Sequence, residues 1–132
     1  MLSDKIFVSF VSLFIIAALV WGRAEAAEER AFTDQAFKSA QDAGKAILIE
    51  IHADWCPTCK AQRPILDRLS ARSPYSEIVR LRVDFDSQKS SVRRFEATSQ
   101  STLVLYKGRT ELARSVDETR ESAIRAMLDK AF

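Results

Sequence analysis

The heptapeptide Asp54-Trp55-Cys56-Pro57-Thr58-Cys59-Lys60 holds both cysteines of the chain. An apolar run, Ala46 to Ile51, leads into it, and a segment of helical spacing, Pro57 to Ala71, leads away. Strand, CxxC, helix is the order in which such a pair reads as a redox site.

The placement carries its own chemistry. A cysteine capping a helix puts its sulfur where free backbone N–H groups and the positive end of the helix dipole converge. That favours thiolate over thiol at Cys56. Pro57 then takes the first helical position, where its missing N–H costs nothing. Cys59 returns to the same helix face one turn on. The expectation is an exposed, nucleophilic Cys56 and a more buried Cys59 placed to resolve a mixed disulfide. Lys60 adds a positive charge nearby, weakened if it points to solvent. Two cysteines and the single histidine, His52, fall short of a four-ligand zinc site. A purely structural disulfide would close a very short loop and constrain the unfolded chain least.

The ends of the chain differ in kind. Lys5 precedes an apolar stretch, Ile6 to Trp21, interrupted only by Ser9 and Ser12 and followed by Ala24-Glu25-Ala26. This reads as a secretory signal peptide over residues 1–26, cut after Ala26. The other reading is an N-terminal membrane anchor built on residues 6–21. Either way residues 27–132 form one exported domain, periplasmic in a bacterium, where disulfides persist. Twenty basic and 18 acidic residues give a net charge of +2, too small to suggest a nucleic-acid partner. The leader's charges cancel, so the domain keeps that value.

Within the domain, Glu28 to Phe32 is a candidate edge strand. Thr33 or Asp34 caps a helix to about Ala43, with Gly44 as its stop. Ala46 to His52 is apolar at nearly every position and should be buried on both faces, with Glu50 as the exception. Pro64 should kink the helix after the cysteines. Ile78 to Phe85 alternates as a strand with one more polar face, and Ser87 to Ala97 forms a short helix carrying Val92 and Phe95. Thr102 to Tyr106 and Thr110 to Val116 form a hairpin turning at Lys107-Gly108-Arg109. Asp117 caps a last helix whose Ala123, Ile124, Met127 and Leu128 face inward. The order predicts a mixed sheet with helices on both faces.

From Ala31 to Phe132 the chain resembles the thioredoxin family. The resemblance rests on Ala53-Asp54-Trp55-Cys56-Pro57-Thr58-Cys59-Lys60, the helix proline Pro64, Val83-Asp84-Phe85-Asp86, and Thr102-Leu103-Val104-Leu105-Tyr106-Lys107-Gly108. Ala-Asp-Trp-Cys is also similar to the exported domain of the transmembrane reductant conductors. The resemblance implies an α/β thioredoxin fold: a central mixed β-sheet flanked by helices on both faces. It implies that Cys56 attacks, that Cys59 resolves, and that Trp55 stands beside the disulfide. Glu50 occupies the position of the family's buried aspartate, which takes the proton of the resolving cysteine. A lone carboxylate in a buried strand should have its pKa raised, as that role requires. The other reading pairs Glu50 with Arg82 on the neighbouring strand.

Two residues depart from the family pattern. Ser101 stands where the family has a cis-proline, just before Thr102. A cis Gln100–Ser101 bond would cost ~3 kcal/mol more than trans, so either strain is held there or the loop is trans and differently shaped. Ser101 also brings a hydroxyl that can hydrogen-bond a thiolate. Asp117 lies near a family glycine of the substrate groove; a carboxylate there selects against acidic partners unless it serves as a cap.

The function expected is that of an exported thiol–disulfide oxidoreductase, a monomer without cofactor or metal. Pro57-Thr58 lacks the histidine that strong periplasmic oxidants carry within CxxC. A reductant follows, nearer the thioredoxin potential of about −270 mV than the oxidant figure of about −120 mV. Its partners would be exported proteins with disulfides or cysteines, apocytochrome c among them, and a membrane electron donor of the reductant-conductor type. The alternatives are a disulfide oxidase or isomerase, and a copper-binding or chaperone module on the same fold.

Overall fold

The computed structural model describes residues 27–132, so the leader and its cleavage site lie outside the described residues. Five strands form one sheet: β1 (Glu29–Ala31), β2 (Ala46–His52), β3 (Val79–Asp84), β4 (Thr102–Lys107) and β5 (Thr110–Val116). Their order is β1-β3-β2-β4-β5. β1, β3 and β2 run parallel, while β4 and β5 are antiparallel additions. Four helices accompany them: α1 (Asp34–Asp42), α2 (Pro57–Ser70), α3 (Lys89–Arg94) and α4 (Glu121–Leu128). The expected mixed sheet is thus present, with β2 at its centre.

The centrality of β2 follows from its side chains. Ile47, Ile49 and Ile51 face one core, shared with Phe37 of α1, Val92 of α3 and Phe95 at the end of α3. Leu48 faces the other, shared with Leu66 and Leu69 of α2 and Ile124 and Leu128 of α4. A strand that buries both faces has no polar side to spare, so alternation is lost and a continuous Ile run remains. In the first core Phe32, Phe37, Phe95 and Tyr106 meet edge-on, with centroids 5.2–6.2 Å apart for the edge-to-face pairs.

Local signals set the ends of the elements. Thr33 caps α1 by accepting the Ala36 N–H at 3.0 Å, and Gly44 leaves the helix at φ +65°. Thr33→Ala is expected to cost about 1 kcal/mol, read as a lower urea midpoint with an unchanged slope. Gly108 opens the β4–β5 hairpin at φ +55°. α2 continues through Pro64 to Ser70.

One expected cap is absent. α4 begins at Glu121, and Arg120 before it makes no side-chain cap. Asp117 instead sits exposed at φ +57° where the chain leaves β5. It lies too far ahead of the helix to reach its first N–H groups. Ala123 is half-buried rather than inward.

Candidate active site

β2 ends at His52 and the chain reaches the start of α2 within a few residues. Cys56 is the residue that caps α2. Its backbone is extended (φ −81°, ψ 114°), Pro57 follows at the first helical position, and its sulfur accepts the Cys59 N–H at 3.2 Å. Burial pushes the Cys56 thiol up. Hydrogen bonds from the Cys59 thiol, the Ser101 hydroxyl and the Cys59 and Thr58 N–H groups outweigh it, and the net shift is downward. For Cys59 burial also pushes up, the bond it gives Cys56 adds to this, and the thiol stays protonated more strongly. The two sulfurs are therefore held apart in acidity, with Cys56 the more acidic of the pair. Both cysteines are unpaired in this structure.

One expectation about this pair is corrected. Cys56 was expected to be exposed, yet it is 1% exposed and Cys59 3%. Ala53 and Phe85 pack beside the pair, and the Ser101 Oγ lies 3.0 Å from the Cys56 sulfur and 3.1 Å from that of Cys59. Ser101 is itself fully buried. The cis peptide bond among the described residues is Ser73–Pro74, so Gln100–Ser101 is trans and the residue sits instead at φ +61°. That left-handed conformation costs a non-glycine residue about 1–2 kcal/mol. Its main chain is pinned on three sides. Ser101 N–H donates to Ile51 O at 2.8 Å, and its carbonyl accepts from Asp117 N–H at 3.1 Å and from the Gln62 amide at 3.2 Å. Thr102 beside it is buried, with its hydroxyl donating to Ser99 O at 2.8 Å.

Around the sulfurs the surface is uneven. Trp55 is 57% exposed and is clasped by Asp86, its indole N–H donating at 2.7 Å. Pro57 and Lys60 are exposed, so the Lys60 charge is screened, and Thr58 is half-buried. His52 reaches Asp54 (3.1 Å) rather than either sulfur.

Behind Cys59 lies a charged cluster that the sequence reading placed only in part. Glu50 is buried on the face toward α2. Its partner is Arg80, not the expected Arg82. Arg80 Nε donates to one oxygen at 2.6 Å and Nη2 to the other at 3.2 Å, while Nη1 reaches Asp67 at 2.9 Å. Arg82, the direct register partner of Glu50, turns instead to Glu29 of β1, Nε–Oε1 2.7 Å. Residues 80 and 82 share a face, so both arginines are available and the pairing is diagonal. Burial pushes the Glu50 carboxyl up, Arg80 pulls it down, and burial prevails. A small cleft of ≈ 10 Å³, about one water in size, is lined by Glu50, Cys59 and Gln62.

Gln62 was missed in the sequence. It is 4% exposed and bridges two loops, donating to Ser101 O and to Glu118 O (3.0 Å). The available signal was its place on the inward stripe of α2, between Cys59 and Leu66.

Relatives match this arrangement along nearly the whole described chain. The Thioredoxin family model covers residues 28–130. A thioredoxin of Chlamydia trachomatis is 33% identical over 84 residues, 64% of this chain and 80% of that protein. A thioredoxin of Mycolicibacterium smegmatis is 27% identical over 104 residues, 77% of this chain and 93% of the relative. The crystal structure of Trxlp from Edwardsiella tarda superposes with a TM-score of 0.73 at 38% identity, covering 76% of this chain and 98% of that one. A match of this extent, over a CxxC pair at the head of α2, shows that the chain belongs to the thioredoxin family of thiol–disulfide oxidoreductases.

Proposed function

We propose that the protein is an exported reductant that opens disulfides in periplasmic partner proteins, cycling Cys56 and Cys59 between dithiol and disulfide. The observation that carries the redox half of this reading is the pair of unlike sulfurs at the start of α2. The Cys56 thiolate attacks a partner disulfide, one partner sulfur leaves as thiolate, and a mixed disulfide forms. Cys59 then loses its proton and attacks the Cys56 sulfur. The internal disulfide closes, and the partner departs with two electrons.

Glu50 is the base for the second step, with one water in the adjoining cleft carrying the proton from Cys59. Its raised carboxyl pKa suits that task, while Arg80 holds it in place. Trp55 offers an exposed apolar face next to the sulfurs for partners to rest on. The export half rests on the leader: a charged start, an apolar core and Ala24-x-Ala26. Among the described residues no helix is long and apolar enough to cross a membrane. The electrons that restore the dithiol come from a membrane conductor. A second reading, disulfide oxidase, is favoured by one feature: the Ser101 hydroxyl lies against both sulfurs of the free dithiol, and a bond to a thiolate there stabilises the reduced pair.

The deciding measurement is the reduction potential of the pair against glutathione. A value well below about −220 mV is expected for the reductant, and one near about −150 mV would leave the oxidase or isomerase. Failure to form an internal disulfide at any poise would favour a copper(I)-binding module. Mass spectrometry of the exported protein is expected to find Ala27 as its first residue; an intact leader would point to the anchored form.

A further inference from the structure

Among the described residues, Ser101 is the side chain that touches both sulfurs through one atom. Its Oγ is 3.0 Å from Cys56 and 3.1 Å from Cys59. A hydroxyl has a single hydrogen to give and two lone pairs to receive with. It cannot donate to both sulfurs at once. In the resting dithiol the stronger acceptor is the Cys56 thiolate, since a bond to a charged sulfur outweighs one to a neutral thiol. The Ser101 hydrogen then points at Cys56, and the Cys59 S–H is given to the same sulfur.

The cycle reverses that preference. When Cys56 bonds to a partner sulfur, the partner's own S–S bond breaks and the leaving sulfur carries off the negative charge. The Cys56 sulfur is now divalent and neutral, a weak acceptor. Negative charge next develops on Cys59, as its proton leaves toward Glu50. That sulfur already lies within hydrogen-bond distance of the same oxygen.

We propose that the Ser101 hydroxyl serves the two sulfurs in turn, holding the Cys56 thiolate in the free dithiol and swinging to Cys59 once Cys56 is tied into a mixed disulfide. Rotation about the Cβ–Oγ bond is enough, and no heavy atom moves. The oxygen is steady because its backbone is bonded to Ile51, Asp117 and Gln62, and water is kept away because the residue is fully buried. A proline at this position has no hydrogen to give either sulfur. Ser101 is therefore a catalytic residue for both halves of the exchange. When Cys59 attacks Cys56, the partner's second sulfur leaves, two electrons pass to the partner, and the hydroxyl is left with no charged acceptor.

The test compares Ser101→Ala and Ser101→Gly with the unmodified protein. Alanine meets the same backbone strain as serine at φ +61°, and glycine relieves it, so a change shared by both variants reports the hydroxyl. Glu29, Glu50, His52 and Arg63, the charged and titratable side chains that line the cleft with Cys59, are kept in both. Thiolate absorbance against pH reads the first bond. Single turnover with glutathione disulfide, quenched in acid and weighed by mass spectrometry, reads the second.

In both variants Cys56 ionisation should move up by about one pH unit, and the mixed disulfide should persist about tenfold longer. The equilibrium with glutathione should shift about tenfold toward disulfide, or about 30 mV. A mixed-disulfide lifetime that does not change, or a change in only one variant, overturns the shared donor. This inference rests on the exchange cycle proposed above. If the unmodified protein does not turn over glutathione disulfide, both readings fall; if it does and the variants match it, this inference alone falls.

Discussion

Serine in place of Cys56 will reduce disulfide reduction to the uncatalysed background, and serine in place of Cys59 will halt the cycle one step later. Only a thiolate attacks a disulfide at useful rates. The network around residue 56, with an N–H from Cys59 and an O–H from Ser101, stabilises a charge that a serine hydroxyl does not carry at neutral pH. In Cys59→Ser the first attack still proceeds, but the chain has no other thiol to release the partner. Insulin turbidity should stay at background for both variants. Intact mass after exposure to glutathione disulfide should show a lasting adduct for Cys59→Ser and none at this site for Cys56→Ser. Release of the adduct without added thiol would contradict the assignment of the resolving sulfur. Because Cys56 is only 1% exposed, small alkylating agents should react more slowly than its lowered pKa alone suggests.

Replacing Arg80 by methionine is expected to destabilise the domain by about 3–5 kcal/mol, the cost of leaving a buried charge without its partner. Arg80 is 2% exposed and touches Glu50 and Asp67. The deficit should depend on pH in a definite direction. Burial already holds the folded Glu50 carboxyl above its ordinary value of 4.5, with Arg80 opposing; without Arg80 it rises further. A carboxyl raised on folding binds more protons in the native state than in the unfolded one. Stability therefore falls as pH climbs from about 4.5 toward the folded value. Urea titrations should find the variant closest to its parent in acid and furthest from it at neutral pH. Equal deficits at both would mean that Glu50 is not the group left stranded. Adding Glu50→Leu should recover much of the loss, since an apolar pair of similar volume replaces a buried ion pair at little cost.

The Ile run of β2 announced a strand buried on both faces. Cys56, Pro57 and Cys59 announced a capped helix, because capping is decided within four residues. The partner of Glu50 was not legible. Alternation places Arg80 and Arg82 on one face, but the pairing also involves Glu29 of another strand, 2.7 Å from Arg82 and 3.9 Å from Arg80, and Asp67 of α2. The shape at Ser101 was open for a similar reason. Nothing in Gln100-Ser101-Thr102 dictates φ +61°; bonds to β2, α2 and the segment after β5 impose it. The clasp of Trp55 by Asp86 joins residues 31 positions apart, beyond any local pattern.

The direction of β1 has a consequence for how the domain meets its surroundings. β1 runs parallel to β2 through β3, and the sulfurs sit past the end of β2. Through Arg80, Glu29 at the start of β1 is level with Leu48, past the start of β2, and it lines the same small cleft as Cys59. Glu29 also meets Arg63 of α2 and Arg82 of β3, so the first strand forms one wall of the space behind the resolving sulfur. Loss of β1 would open that cleft to solvent as well as bare the edge of the sheet.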